Sequence, residues 1–179
     1  MSLSVVVKNA LYLVFRPVVW VLFYLLVWRQ PRASVGPFDV IALSDSDDIA
    51  MHVAKFGEAA DLLRELDPAR FRRIVDTIRL IVVDDHARSF DAQYYHFARA
   101  MVVRTDALKL CYPQAVAALL AHEATHGRVA DMGIWEHYGI SQRVERLCLR
   151  NEIWCLEKLP GAEALLQTKK DRLARDDVM

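Results

Sequence analysis

The sequence predicts an α+β domain that is mostly helical, carries a small sheet and follows an N-terminal transmembrane helix. Residues 9–28 form an almost unbroken apolar run. Helical periodicity and helix-capping signals occupy most of the remaining chain, and only two β-branched runs, at 79–85 and 100–105, interrupt them. We therefore divide the chain into a membrane anchor, residues 1–32, and a domain, residues 33–179.

The apolar run NALYLVFRPVVWVLFYLLVW has the length of a membrane-spanning helix. It covers residues 9–28, and about 20 residues cross a hydrocarbon core of about 30 Å. Arg16 and Pro17 break the run, since a central arginine is costly in a bilayer and proline kinks or restarts a helix. We interpret the segment as a kinked single-pass anchor in the lipid bilayer. Two alternatives remain for this segment: an interfacial or re-entrant helix, and an apolar helix packed on the domain. Arg29 and Arg32 favour a cytoplasmic domain.

The composition gives no sign of a nucleic-acid partner, because the formal net charge is zero. Hydrophobic residues make up 54% of the chain, which is apolar for a soluble domain. Three cysteines without a CxxC pair argue against a disulfide framework or a thiolate zinc site. Cys148 and Cys155 are seven residues apart on one face of a predicted helix, and we expect both to be small buried residues.

The domain begins with helices. QPRASVGPFD, residues 30–39, predicts a linker because it contains two prolines and a glycine. A helix is predicted over 47–66, and Asp67 followed by Pro68 gives the next helix an N-cap and a first-turn proline. That second helix should turn three apolar side chains inward: Phe71, Ile74 and Val75.

Two strands and an ambiguous stretch follow. RLIVVDD at 79–85 and AMVVRT at 100–105 are rich in β-branched residues and predict strands. Residues 84–89 predict a turn, and FDAQYYHFAR at 90–99 fits either a strand or an irregular loop.

The helix that opens at Tyr112-Pro113 contains HEATH and should end near 131–133. His122 and His126 are four residues apart and therefore share a helical face, so that both imidazoles can reach one zinc ion. Glu123 lies about 100° around the helix from His122, close enough to reach a metal-bound water.

A third ligand is expected on the next helix, predicted over 141–157, because a catalytic zinc needs three protein ligands and an open position. Glu145 and Glu152 are seven residues apart and share a face of that helix. If the two helices fold back on each other, Glu145 reaches the level of His126 and Glu152 that of His122. We predict Glu145 as the ligand and Glu152 as the group that orients His122, with Glu152 as the alternative ligand.

HEATH, preceded by an apolar helix and AMVVRT and followed by VERLCLRNEIW, resembles the zincin metallopeptidases. The glutamate variant, the gluzincins, fits best in a minimal single-domain form, over about residues 75–160. The resemblance implies peptide-bond hydrolysis with zinc on His122, His126 and a glutamate of the following helix, and with Glu123 as the general base. The NExxSD-type signature of the thermolysin group is absent.

The peptidase interpretation needs a donor for the oxyanion and a place for the substrate. Candidate donors lie in the loop between the two ligand helices and near the second strand: His137, Tyr138, Tyr94, Tyr95 and His96. His52 and His86 are expected at the surface. We expect the strand at 100–105 to be an edge strand that pairs with an extended protein or peptide substrate.

The sequence thus predicts a membrane-anchored zinc metallopeptidase. A non-catalytic zincin-like module with a structural zinc is the alternative, and an inert helix with a fortuitous motif is a third interpretation. A di-iron carboxylate bundle is disfavoured, because it needs the E-x-x-H pair twice and Glu123–His126 is the only one here.

Overall fold

The structure is a computed structural model that describes residues 25, 30, 32–43, 49–84, 91–134 and 142–176. The described chain is α+β, as predicted. Its strands are β1 (Arg32–Val35), β2 (Phe38–Ala42), β3 (Leu80–Asp84), β4 (Ala92–Tyr95) and β5 (Ala100–Arg104). Its helices are α1 (Ile49–Leu66), α2 (Pro68–Thr77), α3 (Thr105–Leu110), α4 (Pro113–Asp131), α5 (Gln142–Leu156) and α6 (Glu163–Asp176), and a 3₁₀ turn covers His96–Ala98.

The strands form one mixed sheet in the order β1-β2-β3-β5-β4. β2, β3 and β5 are parallel, whereas β1 pairs antiparallel with β2 and β4 antiparallel with β5. The chain passes from β2 to β3 through α1 and α2, and from β3 to β5 through β4 and the 3₁₀ turn. The sheet has β1 at one edge and β4 at the other.

Two sequence predictions about this sheet were wrong, and one alternative that the sequence left open is settled. Residues 30–39 are no linker: they form the hairpin β1–β2, in which Gly36 has φ +55 and supplies the left-handed turn that glycine tolerates best. The strand at 100–105 is no edge strand, because β5 lies between β3 and β4. The ambiguous stretch 90–99 contains the edge strand β4. The prolines and glycine of residues 30–39 resemble a linker locally, although they form a hairpin whose two strands pair with each other.

The predicted helices are present with close to the expected bounds. Asp67 caps α2 by accepting hydrogen bonds from the backbone N–H groups of Ala69 and Arg70 at 3.0 and 2.9 Å. Phe71 and Ile74 of α2 are buried, as predicted. α4 begins at Pro113, as predicted, and α5 ends at Leu156, one residue before the predicted end at 157.

The core lies between one face of the sheet and the helices. Phe56 and Leu63 of α1 and Leu120 of α4 pack there with Ile81 and Met101 of the central strands. α4 contacts α1, α2 and β4, and packs most extensively against α5. The HEATH helix is therefore held on several sides, and its remaining face is turned to α5.

The predicted membrane anchor, residues 9–28, lies outside the described residues apart from Leu25. Within the ranges that the structure describes, none of the helices combines the length and the apolar character needed to span a bilayer.

Candidate metal centre

The site lies between α4 and α5, and local sequence explains both helices. α4 is built mainly from alanine and leucine, which favour helix, up to its two histidines. α5 alternates buried residues such as Val144, Cys148 and Leu149 with exposed charged ones. Small side chains at the contact, Ala118 and Cys148 among them, are fully buried.

Three potential ligand atoms converge between the two helices. The Nε2 atoms of His122 and His126 lie 3.3 Å apart. The Oε1 atom of Glu145 lies 3.1 Å from Nε2 of His126 and 3.8 Å from Nε2 of His122. In a tetrahedral zinc site with bonds of about 2.0–2.1 Å, neighbouring ligand atoms lie about 3.3–3.4 Å apart. Two of the three separations are close to this spacing, whereas the 3.8 Å between Nε2 of His122 and Oε1 of Glu145 is longer.

The other ring nitrogen of His122 contacts Glu152. Nδ1 of His122 lies 3.2 Å from Oε2 of Glu152, whose side chain is only 4% exposed. A carboxylate on the far nitrogen fixes the ring orientation, and the Nδ1–H tautomer leaves Nε2 free to accept a metal. This is the arrangement that metal-binding histidines generally show.

α6 supplies two cations to these carboxylates. Nζ of Lys169 lies 2.5 Å from Oε1 of Glu152, and Nη2 of Arg172 lies 3.7 Å from Oε2 of Glu145. Local sequence does not connect α6 with the site, because the run KKDRLARDD at 169–177 is typical of a solvated helix end with mixed charges. The packing of α6 on α5 brings Lys169 and Arg172 to the carboxylates.

These contacts shift the pKa values of the site. Burial lowers the pKa of His122, but its hydrogen bonds to Glu145 and Glu152 outweigh burial and raise the pKa to about 9. The hydrogen bonds from His122 and His126 hold the pKa of Glu145 well below its usual range. For Glu152, burial acts to raise the pKa, but His122 and Lys169 together lower it. In the absence of metal, the site thus holds an imidazolium between ionised carboxylates.

Glu123 is the one carboxyl of the HEATH motif, and it is almost completely buried. It is 4% exposed, and its Oε2 atom has no hydrogen-bond partner. The backbone N–H of Tyr94 donates a hydrogen bond to the carboxyl. Burial raises the pKa of Glu123, and the neighbouring His122 and His126 oppose that shift only in part. A buried oxygen without a partner and with raised basicity suits a proton acceptor.

Gly127 and Tyr94 join the HEATH helix to the sheet edge. The hydroxyl of Tyr94 donates to the backbone oxygen of Thr77 at 3.0 Å. A Cβ atom on Gly127 would lie 2.8 Å from the Tyr94 ring and would collide with Cγ2 of Thr77. Glycine is thus required directly after His126 for this close approach. The sequence analysis missed that role of Gly127.

A thiol also lies at the site. The ligand atoms of His122, His126 and Cys148 lie within 4.8 Å of one another, and Cys148 is fully buried. Cys155, on the same helix, is equally buried but belongs to the main core. The prediction that both cysteines are buried is confirmed. Glu145 makes the shorter contacts with the histidines, so we place it ahead of Cys148 as the third ligand.

The remaining candidates are placed only in part. His137, Tyr138 and His86 lie outside the described residues, and so does the side chain of His52. Nδ1 of His96 lies 3.6 Å from Asp131 at the end of α4. The hydroxyl of Tyr95 contacts Gln93 at 3.3 Å. Tyr94, through its backbone, is the candidate donor that reaches the HEATH motif.

Compared with protein-family models, curated proteins and solved structures, the chain matches none of them. The functional conclusion therefore depends on the geometry of the site and on the residues of the motif.

Proposed function

We propose that the chain is a zinc-dependent metallopeptidase, anchored to a membrane by residues 9–28, with its domain on the cytoplasmic side. The observation that carries the proposal is the convergence of two imidazole nitrogens and one carboxylate oxygen, which lie 3.1–3.8 Å apart, in a helix that also holds a buried carboxyl oxygen of Glu123 without a partner. The first group suits a metal, and the second suits a proton acceptor. Their combination in one helix and its neighbour favours hydrolysis.

In this proposal, His122, His126 and Glu145 hold the zinc ion, and Glu152 orients His122. A bound zinc lowers the pKa of water and polarises a carbonyl. Zinc is a borderline-soft ion and binds imidazole nitrogens together with carboxylate oxygens, whereas magnesium and calcium prefer sites made of oxygen ligands alone. A water molecule on the bound ion would give the buried Oε2 atom of Glu123 the hydrogen-bond partner that it lacks.

Glu123 then performs the proton transfers. Its carboxylate takes a proton from the attacking water and delivers it to the leaving amine. The N–H of Tyr94 holds the carboxyl in place from β4, and the raised pKa of Glu123 makes it a stronger base than an exposed glutamate. Because Glu123 directly follows His122 on α4, the helix fixes the position of the base relative to the zinc ligand.

We place the peptide substrate on β4 instead of residues 100–105, because β4 is the edge strand. The backbone N–H of Arg104 donates to the backbone oxygen of Asp91, and the antiparallel ladder alternates from there, so the backbone groups of Ala92 and Tyr94 lie on the outer side of β4. The N–H of Tyr94 already donates to Glu123, so Tyr94 can offer a peptide only its carbonyl. The outer groups of an edge strand can pair with an extended peptide. Because Tyr94 also contacts Glu123, a peptide on this edge would pass the proposed base.

A non-catalytic module with a structural zinc is the second candidate. The observation in its favour is the buried thiol of Cys148, which lies within 4.8 Å of both histidine ligand atoms. Four protein ligands would close the site, as in structural zinc sites.

The variant Glu123→Gln separates the two candidates. We expect the purified full chain to cleave members of a degenerate peptide library, read by mass spectrometry, and the variant to keep its zinc but lose at least about a hundredfold in turnover. Glu157→Gln is the matched control, because Glu157 pairs with Lys170 at the surface, away from the site. A zinc-loaded wild type that cleaves nothing would support the structural role. Full turnover in Glu123→Gln would exclude Glu123 as the base.

A further inference from the structure

Cys148 shares a helix face with the two glutamates of the site. It comes three residues after Glu145 and four before Glu152, the spacings that place side chains on one face. Its ligand atom lies within 4.8 Å of those of His122 and His126. The side chain is fully buried, so solvent does not compete for it.

Packing alone does not account for this position. Cys155 shows what a packing cysteine looks like on the same helix: it is fully buried within the main apolar core. Cys148 is instead part of a small group with Val129 and Val144, apart from that core and beside two imidazoles.

We propose that Cys148 is a fourth protein ligand of the metal bound by His122, His126 and Glu145. With a zinc–sulfur bond of about 2.3 Å, sulfur and nitrogen ligands of a tetrahedral site lie about 3.5 Å apart. The thiol therefore has to approach the histidine nitrogens by at most about 1.3 Å to bind the same ion. The proposal departs from the sequence prediction, in which three cysteines without a CxxC pair argue against a thiolate zinc site.

The charges of the site agree with a thiolate. A zinc ion bound here would add two positive charges to those of Lys169 and Arg172, which contact the carboxylates of Glu152 and Glu145. A thiolate on Cys148 would add a negative charge and reduce the net positive charge of this group. A buried site is most stable when its charges are balanced. The soft sulfur also strengthens the preference for zinc over hard cations.

The consequence is a regulated site, and this part rests on the proposed function. Structural zinc sites have four protein ligands, whereas catalytic ones keep one position open. With Cys148 on the metal, the site is closed and water is excluded from the fourth position. Peptidase turnover then requires the sulfur to leave the metal, so Cys148 limits the resting activity.

Cobalt substitution tests this directly. The full chain is stripped of metal with a chelator and loaded with Co²⁺, and its absorption spectrum is recorded. We expect visible d–d bands of a tetrahedral ion together with a near-ultraviolet sulfur-to-cobalt charge-transfer band. Cys148→Ser should lose the charge-transfer band and keep the d–d bands, and its zinc form should turn over peptides severalfold faster. Cys155→Ala is the matched control and should keep both kinds of band.

The outcomes separate the two proposals. Tetrahedral d–d bands without a charge-transfer band in the wild type would overturn the role of Cys148 and leave the three-ligand site intact. A chain that takes up no cobalt would overturn both. If Cys148→Ser fails to fold, the double variant Cys111→Ser/Cys155→Ala, in which Cys148 is the only thiol, must still show the charge-transfer band. Its loss there would contradict the inference.

Discussion

At the scale of single residues, the site is a chain of contacts that runs from α6 through α5 to α4. Lys169 contacts Glu152, Glu152 contacts His122, and the other nitrogen of that imidazole faces His126 and Glu145. Each member holds the next in a defined orientation. The effect of α6 on metal binding can therefore be tested at Lys169.

We predict that Lys169→Met weakens zinc binding by roughly tenfold, the lower end of the effect of groups that orient metal ligands. Without the cation, the buried carboxylate of Glu152 is left with one partner, so it takes up a proton or turns away, and His122 loses its acceptor. The dissociation constant is measured by competition with a chromophoric chelator. Lys170→Met is the control, because Lys170 pairs with exposed Glu157. Lys169→Arg should restore binding. Equal affinities in Lys169→Met and Lys170→Met would exclude the positioning role.

A second residue-scale prediction concerns protons. Burial lowers the pKa of His122, but hydrogen bonds to Glu145 and Glu152 raise it to about 9, so the metal-free site is protonated at pH 7. Zinc must displace that proton, because only the neutral ring binds metal. Zinc affinity should therefore rise with pH, by up to about tenfold per unit, until pH approaches 9. Calorimetry in buffers of different ionisation enthalpy measures the released protons. A binding enthalpy that is the same in all buffers would contradict the prediction.

At the scale of elements, the contact between α4 and the edge of the sheet depends on Gly127. We predict that Gly127→Ala lowers the free energy of unfolding by about 1–3 kcal/mol, because the added methyl group meets the side chains of Thr77 and Tyr94. Chemical denaturation measures the change.

A double variant identifies the cause. Thr77→Ser removes the methyl group that Gly127→Ala would strike, while it keeps the hydroxyl that donates to Arg73 O at 2.8 Å. Thr77→Ser should therefore recover part of the lost stability, as contacting residues are not additive. Strict additivity of the two changes would show that the close approach is not what requires glycine.

The elements also show what the sequence can predict. α2 and α4 were predicted with close bounds because their caps, prolines and periodicity are local signals. β1 and β2 were missed as strands because the prolines and glycine of residues 30–39 indicate a linker locally, while a strand at 90–99 was one of two alternatives. β5 was placed wrongly at the edge because strand order also depends on pairing with strands that are not adjacent along the chain, here β3. The contacts expected from helix depth, Glu145 with His126 and Glu152 with His122, are present, whereas metal binding itself stays a prediction.

At the scale of the whole molecule, α4 is a rigid support for the site because the sheet and two helices fix it. α1 and α2 contact it on its apolar sides and β4 meets it at Gly127, so the histidine face has α5 as its main neighbour. α5 is in turn backed by α6, whose cations reach the site. Neither the α6 contacts nor the role of Gly127 could be predicted from the sequence, since both depend on how the helices pack.

Measuring the metal content of the chain decides whether His122, His126 and Glu145 bind one zinc ion. The purified full chain is reconstituted with zinc, dialysed and analysed by elemental mass spectrometry beside His126→Ala. The control is His96→Ala, which removes a histidine that contacts Asp131 instead of the site. The account predicts about one zinc per chain in the wild type and in His96→Ala, and none in His126→Ala. A wild-type chain without zinc, or a His126→Ala variant that keeps it, would contradict the account.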